Sequence, residues 1–333
     1  MNFESLHNHT TASDGTQSAL EALKTAWELG IGVMALTEHD WLPGERELAV
    51  LRGYEGPVRW LVGCEISSGL PKELGGGATS TLHLLGLFTD PGNPALSEHC
   101  RLARAARTQR MEKIVGNLVS LGFKITVDDC LRASAGETVG RPHIVRALAT
   151  YPENKAIIEG LRSDMEHAAI SNSRVAMDLA HMLERPASDY PYRLFLSEDA
   201  FVPGVYVEYL YWVDMDRAVA LIRGAGGVAI VAHSYTAAKK IDVEMLEGMV
   251  RDGRLDGVEI MGNPLNAAAR RAEPGLVALA SRTGCLATYG ADAHRAEDLA
   301  GFVADRDLAR RTVGQTARII ERAEVDLTWS NLG

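Results

Sequence analysis

Cysteine is scarce in this chain of 333 residues: Cys64, Cys100, Cys130 and Cys285 stand far apart and no two have a CxxC spacing. That excludes a disulfide framework and a cysteine zinc clip, and it fits buried, reduced thiols in a reducing, cytoplasmic compartment. Long hydrophobic runs are also missing, since no stretch of 18 apolar residues occurs, so no membrane span is expected. A cleaved leader is not expected either, because it would carry off the chemistry-bearing residues His7, His9 and Asp14. Basic charge is short: 34 Lys and Arg against 44 Asp and Glu give a net charge of −10. A long nucleic-acid surface, which needs concentrated cations, is thereby excluded, although a local basic pocket is not. Repeats and low-complexity tracts are absent, and the Gly75-Gly76-Gly77 run reads as a loop before the next strand.

What the chain does have is histidine in telling places. His7 and His9 flank Asn8 directly after a short strand-like run, with Asp14-Gly15 close behind. Side chains two apart on extended backbone point the same way, so these imidazoles can reach one cation together. Further along come Glu38-His39-Asp40 at the end of VMALTEHD, Glu65 in LVGCEISS, His83 in TLHLLGLF, His233 in VAIVAHS, and Asp292 and His294 in TYGADAH. Six of the ten histidines (His7, His9, His39, His83, His233 and His294) sit at the ends of apolar runs, while His99, His143, His167 and His181 lie in a different, helical stretch. Were the six ordinary buried polar groups, each would need its own hydrogen-bond partner.

Those apolar runs alternate with helical patterns. Strands are predicted over 2–6, 33–37, 58–65, 81–88, 227–232, 257–261 and 285–289, with helices over 17–29, 215–225, 243–251 and 265–282. Seven strands interleaved with helices make an α/β fold with parallel strands. The 46% hydrophobic content is enough to bury a sizeable core. Between them, 93–199 is helical: Met111, Ile114, Val115, Leu118 and Val119 follow one helix face, and a shorter helix starts near Pro142. This segment reads as an inserted helical lid on a barrel formed by 1–92 and 200–333. Arg101, Arg104, Arg107, Arg110 and Lys113 mimic a basic stripe, but steps of three wind them around the helix, and a solvated surface is expected.

In order and approximate spacing, HNHTTASDG, TEHD, GCEIS, HLLGL, VAH and GADAH resemble the motifs of the PHP (polymerase and histidinol phosphatase) metal-dependent phosphoesterases. GRPHIVRAL, LVSLGFKIT and IRGAGGVAIVAH resemble in particular the branch holding 3′,5′-nucleoside bisphosphate phosphatases and 5′ to 3′ oligoribonucleotide exonucleases. The resemblance implies a distorted seven-stranded (β/α) barrel with two or three divalent ions (zinc, manganese or iron) at the C-terminal strand ends. It implies that His7, His9, Glu65 and Asp292 hold a first metal. Glu65 then bridges to a second, completed by His83 and His233, and Asp14, His39 and His294 hold a third.

The activity implied is hydrolysis of phosphate monoesters of nucleotides or short oligonucleotides by a hydroxide bridging the metals, with Glu65, Asp292 and His233 at the reacting centre. A small phosphorylated substrate is expected to meet Arg141 and His143 of GRPH, since a guanidinium fork suits phosphate. A metal-bound water, His143 or Asp40 stands as the proton donor, and Trp41 as a wall for a base or sugar or as ordinary packing. Two features depart from the branch: the long stretch 151–199, and Ser234 where a proline commonly follows the VAH histidine. They keep open a phosphatase for another small metabolite such as histidinol phosphate. A non-catalytic metal-stabilised module is the third reading.

Overall fold

The computed structural model describes residues 2–74, 82–134, 138–234, 241–261 and 267–332. The glycine run at 75–77 and the first two residues of the helix expected over 265–282 lie outside them. Seven strands form one sheet in the order β1-β2-β3-β4-β5-β6-β7. They are β1 Phe3–Ser5, β2 Ile31–His39, β3 Arg59–Ser68, β4 Leu82–Leu87, β5 Val228–Val231, β6 Gly257–Met261 and β7 Leu286–Tyr289. Helices α1 Ala19–Glu28 and α2 Glu45–Arg52 connect the first three strands. Ser18 and Glu21 close a reciprocal cap on α1, each side chain bonding the other's backbone N–H, which fixes where that helix begins.

The all-parallel expectation needs correction. β4 runs antiparallel to both β3 and β5, while every other neighbouring pair is parallel. A parallel return requires a long crossover, usually a helix. Between β3 and β4 the described chain offers only the short turn Lys72–Leu74. The strands at the two sheet edges share no ladder. Leu6 N–H donates to Tyr289 O, and the Gln315 amide spans the gap by donating to Glu4 O and Tyr289 O and accepting from Tyr289 N–H.

Alternation along the strands buries both faces. Met34, Leu36, Trp60, Val62, Ala229 and Val231 belong to one large core shared with the surrounding helices. Their neighbours Val33, Ala35, Leu61, Leu85, Leu87, Val228 and Ile230 form a second core on the opposite, inner face. Each fully buried leucine or isoleucine there is worth about 1.5–3 kcal/mol of desolvation. On β3 the inner-face series runs from Leu61 through Gly63 to Glu65, so an apolar floor gives way to a carboxylate at the strand's far end.

Two compact units emerge, one of residues 1–104 with 212–333 and the other of 105–211, the first boundary falling within helix α3 (Pro94–Ser120). The second unit is helical, with α4 Val127–Ser134, α5 Arg141–Ala149, α6 Glu153–Ala169 and α7 Ser173–Leu183. Its core gathers Met111, Ile114, Val115, Leu118, Phe123, Ile144 and Phe195. Val119, expected on the same face of α3, is instead 51% exposed.

Candidate metal centre

The first unit brings His7, His9, Asp14, His39, Glu65, His83, His233, Asp292 and His294 into one cluster. His7 and His9 follow β1, where the side chain of Asn8 turns the other way and donates to Ser5 O and Ala35 O, pinning the loop. His39 ends β2 and pairs in register with Glu65 of β3. His83 is only the second residue of β4, yet because β4 is antiparallel it stands at the same sheet end, opposite Ser67. His233, Asp292 and His294 follow β5 and β7 directly.

Two glycines make the packing possible. A Cβ on Gly15 would lie 2.6 Å from His9 O, and one on Gly290 would lie 2.4 Å from His7 Cβ. Positive φ angles at Asp40 (46°), His233 (27°) and Asp292 (47°) place backbone strain at this same sheet end, a cost that persists only where the surroundings enforce it.

Glu65 is the hub. Its Oε2 has His7 Nε2 at 3.3 Å, His9 Nε2 at 3.1 Å and His39 Nδ1 at 2.9 Å. Its Oε1 faces His83 Nδ1 at 2.7 Å and His233 Nε2 at 2.9 Å. Asp292 Oδ1 lies 3.4 Å from His7 Nε2, 3.3 Å from His9 Nε2 and 3.8 Å from His294 Nδ1. Asp14 reaches His294 Nε2 at 3.3 Å and His39 Nε2 at 3.8 Å. His39 therefore presents one ring nitrogen to Asp14 and the other to Glu65.

Charge in the cluster is strongly coupled. Burial alone would raise the Glu65 carboxyl, but the imidazoles of His39, His83 and His7 hold it well below the usual range. Asp14 and Asp292 are likewise held well below theirs against burial, chiefly by His294 and by His7 respectively. Burial opposes protonation of His294, yet Asp14 beside it and Asp292 push it up to about 10. His7 is raised well above its ordinary value because Glu259, Glu65 and Asp292 outweigh its burial. For His39 burial wins, and its value falls.

These residues fit divalent cations on their own geometry. Glu65 Oε2 is fully buried and makes no hydrogen bond, although three imidazole nitrogens converge on it. Once these imidazoles shed their protons, their lone pairs and those of the carboxylate meet at one point, which is what a cation site requires. Mixed imidazole and carboxylate donors suit zinc, manganese or iron. Among the described residues, three sets have donor atoms within 4.8 Å of one another: His9, Asp14, His39 and His294; His7, His9 and Glu65; His39, Glu65 and His83.

Several expected roles fare differently. Asp40 is 1% exposed and accepts from Ser67 N–H, with His99 Nε2 at 3.8 Å, so its job is structural. His143 is fully buried and its Nδ1 accepts Gly140 N–H at 2.7 Å, capping α5. Both groups are thus buried and each accepts a backbone N–H. Trp41, 8% exposed, is a packing residue. Arg107 and Arg110 are not solvated: they are 8% and 5% exposed. Arg110 donates to Val207 O at 2.6 Å and lies 4.2 Å over the Tyr209 ring and 5.1 Å over that of Tyr206. Burial lowers the Arg110 guanidinium, and the nearby charges of Arg141 and Arg107 add to the effect. Arg141 donates to Leu196 O and packs over Tyr192.

Two carboxylates without an assigned role in the sequence complete the first unit's site. Glu38 accepts from Thr10 N–H, Thr10 Oγ and Ser13 Oγ, holding the turn after His9. Glu259, fully buried on β6, accepts from His7 Nδ1 and from His233 N–H. A lone carboxylate inside the apolar run GVEIM was the available signal for it.

Imidazoles and carboxylates gathered around one buried glutamate at one end of a mostly parallel sheet define an α/β protein whose side chains could hold divalent metal. No family model matches the chain. It is 27% identical over 229 residues to the 3′,5′-nucleoside bisphosphate phosphatase of Chromobacterium violaceum, a match covering 68% of this chain and 65% of that protein. It is 28% identical over 228 residues to a 5′-3′ exoribonuclease of Haemophilus influenzae, covering 68% of this chain and 67% of the relative. The match thus spans about two thirds of the length of each. Among solved structures, a Bifidobacterium adolescentis protein assigned as a metal-dependent phosphoesterase superposes with a TM-score of 0.61 at 27% identity, covering 88% of both chains. In sequence and in fold the chain is thus similar to metal-dependent phosphoesterases, as its resemblance to the PHP motifs implies.

Proposed function

We propose that this protein is a metal-dependent phosphoesterase acting on phosphate monoesters of nucleotides or short oligonucleotides, 3′,5′-nucleoside bisphosphates among them. One observation carries the reading: the convergence of five imidazoles on the two oxygens of Glu65. So many buried ionisable groups are costly to a fold, several kcal/mol per unpaired ion, and they are understandable as a site kept for chemistry.

In this reading His7, His9, Glu65 and Asp292 hold one divalent ion, and Glu65, His83 and His233 a second. Asp14, His39 and His294 hold a third, and zinc, manganese or iron suits each donor set. Such ions would supply a water activated for attack at neutral pH and positive charge against the phosphoryl oxygens. The chain's own residues do the rest. Glu65 fixes the spacing of the two sides through its two oxygens, and Asp292 aligns His7, His9 and His294 from the opposite side. The apolar floor beneath, with Leu61 and Ala35, keeps water from entering below.

Substrate choice is assigned to the helical unit, where Arg141, Arg110 and Arg107 are close enough to feel one another's charge and stand among Tyr192, Tyr206 and Tyr209. Guanidinium groups backed by aromatic rings suit a phosphate or a nucleotide. The seven strands, joined at their edges through Leu6 and Gln315, are read as the distorted barrel of this family, with the helical unit as its insertion.

The test is metal analysis of the purified protein together with phosphate release from 3′,5′-bisphosphonucleosides, short oligoribonucleotides and histidinol phosphate. Turnover of nucleotides above histidinol phosphate supports the reading. The reverse order moves the substrate to another small monoester. Failure of the metal-loaded protein on every ester, chromogenic ones included, leaves a non-catalytic metal module.

A further inference from the structure

We infer that Glu259 is a positioning residue: its carboxylate sets which nitrogen of His7 faces the cluster and holds the backbone of His233, tying together two sides of the metal centre. The inference rests on the proposed metal site and adds to it a residue that does not itself point at the cluster.

The geometry is specific. Val258 and Ile260 of β6 belong to the outer core, so alternation turns Glu259 to the inner face. There it is fully buried. Oε1 accepts from His7 Nδ1–H at 2.9 Å, and Oε2 accepts from the His233 backbone N–H at 2.7 Å. With its proton held on Nδ1, His7 offers the Nε2 lone pair to the point it shares with His9 Nε2 (3.2 Å), Glu65 Oε2 (3.3 Å) and Asp292 Oδ1 (3.4 Å). A carboxylate behind a ligating imidazole fixes tautomer and ring orientation and strengthens the ligand. The second bond does different work. His233 has φ of 27°, a conformation that ordinary residues rarely adopt, and a short bond to its N–H holds that turn in place. The same side chain thus disposes a ligand following β1 and one following β5.

This predicts that even the isosteric amide fails. Glu259→Gln keeps one acceptor and gains an NH2 group. If the amide oxygen stays on His7, the NH2 confronts the His233 N–H, donor against donor. If the amide turns over, His7 Nδ1 must accept, and its proton moves to Nε2, where the metal should bind. Replacing such a carboxylate costs roughly 10–100-fold in metal affinity.

The experiment is competition of wild type and Glu259→Gln against a chromophoric chelator for cobalt(II), with the visible spectrum of the bound cobalt as a second readout. The expected result is a folded variant with 10–100-fold weaker cobalt binding at one or more sites, an altered spectrum, and turnover that recovers in part when metal is raised. Affinity and spectrum equal to wild type overturn the inference and leave the proposed function standing. Failure of the wild type to bind cobalt at all sinks both. Should the variant fail to fold, the zinc-loaded wild type labelled with nitrogen-15 at histidine decides. A proton on His7 Nδ1 supports the inference, and one on Nε2 overturns it.

Discussion

Glu65 and His39 face each other across the β2–β3 ladder as register partners, with Glu65 Oε2 2.9 Å from His39 Nδ1. The pairing puts a carboxylate and an imidazole at the same height on neighbouring strands. Because Oε2 also faces His7 and His9 and Oε1 faces His83 and His233, Glu65 is where every strand-end histidine but His294 meets. Glu65→Ala should lower turnover by at least about 10³-fold and reduce bound metal, with the fold retained because the inner and outer cores are untouched. His9→Ala should behave alike. Steady-state rates with elemental analysis and circular dichroism check this, and wild-type rates in either variant would contradict it.

Proton release should accompany metal binding. Without metal, His7, His9 and His233 have raised values and His294 titrates at about 10 instead of 6.5, so near neutral pH the cluster carries extra protons. Ligating nitrogens must shed theirs. The sign follows: apparent metal affinity rises as pH rises through neutrality. The metal-free protein, by contrast, keeps the stabilisation from the protonated His294–Asp14 pair below about 6.5 and loses it as pH climbs through about 10. Calorimetric titration with zinc in buffers of different ionisation enthalpy should show net proton release at pH 7. Heats independent of the buffer would refute it.

Much of this was legible in the sequence, for a physical reason. Strand periodicity of two is strict, so the alternation of His7, Asn8 and His9, and the apolar runs ending in Glu65 and His233, project directly onto strand ends. The direction of β4 was not legible. Its six residues read the same either way, and among the described residues only the short turn Lys72–Leu74 stands between β3 and β4. Arg107 and Arg110 were misread because their burial depends on Tyr206 and Tyr209, about a hundred residues away, which no helical wheel contains. The capping bond from Gly140 N–H to the His143 ring was not legible either, because the GRPH motif gives no sign of which way that ring turns. Glu259 escaped because one carboxylate in a five-residue strand looks like an interruption until its two partners are seen.

Arg141 should act on binding rather than on the chemical step. Charged hydrogen bonds to phosphate are worth about 1.5–3 kcal/mol, so Arg141→Ala should raise KM for a nucleoside bisphosphate roughly 10- to 100-fold and leave kcat within a few-fold. Arg110→Met keeps much of the packing on Tyr209 and removes the charge, and it should raise KM in the same direction. The comparison substrate is a small chromogenic phosphate ester, for which neither variant should matter. An unchanged KM for the bisphosphate in Arg141→Ala would remove that residue from substrate recognition.

Gly290 tests whether the cluster depends on close backbone approach as well as on its ligands. A Cβ there would stand 2.4 Å from His7 Cβ and 2.7 Å from His7 N, a distance that real atoms do not tolerate, and both sides are held, His7 by Glu259 and Gly290 by its N–H bond to Met261 O. Neither can yield without moving a strand end. Gly290→Ala should therefore cost about 1–3 kcal/mol of stability, as overpacking in a dense interior does, and shift His7 away from the position it shares with His9. The two effects separate in measurement. A chemical denaturation curve of the metal-free protein reports the steric cost, and cobalt affinity reports the displaced ligand. Gly116→Ala, at a helical position with open space around the added atom, is the control: it should raise stability by about 0.5–1 kcal/mol, the ordinary gain of alanine over glycine in a helix, and leave cobalt affinity unchanged. A Gly290→Ala protein with wild-type stability and wild-type metal affinity would mean that β7 and the His7 loop have room that the packing described above denies them.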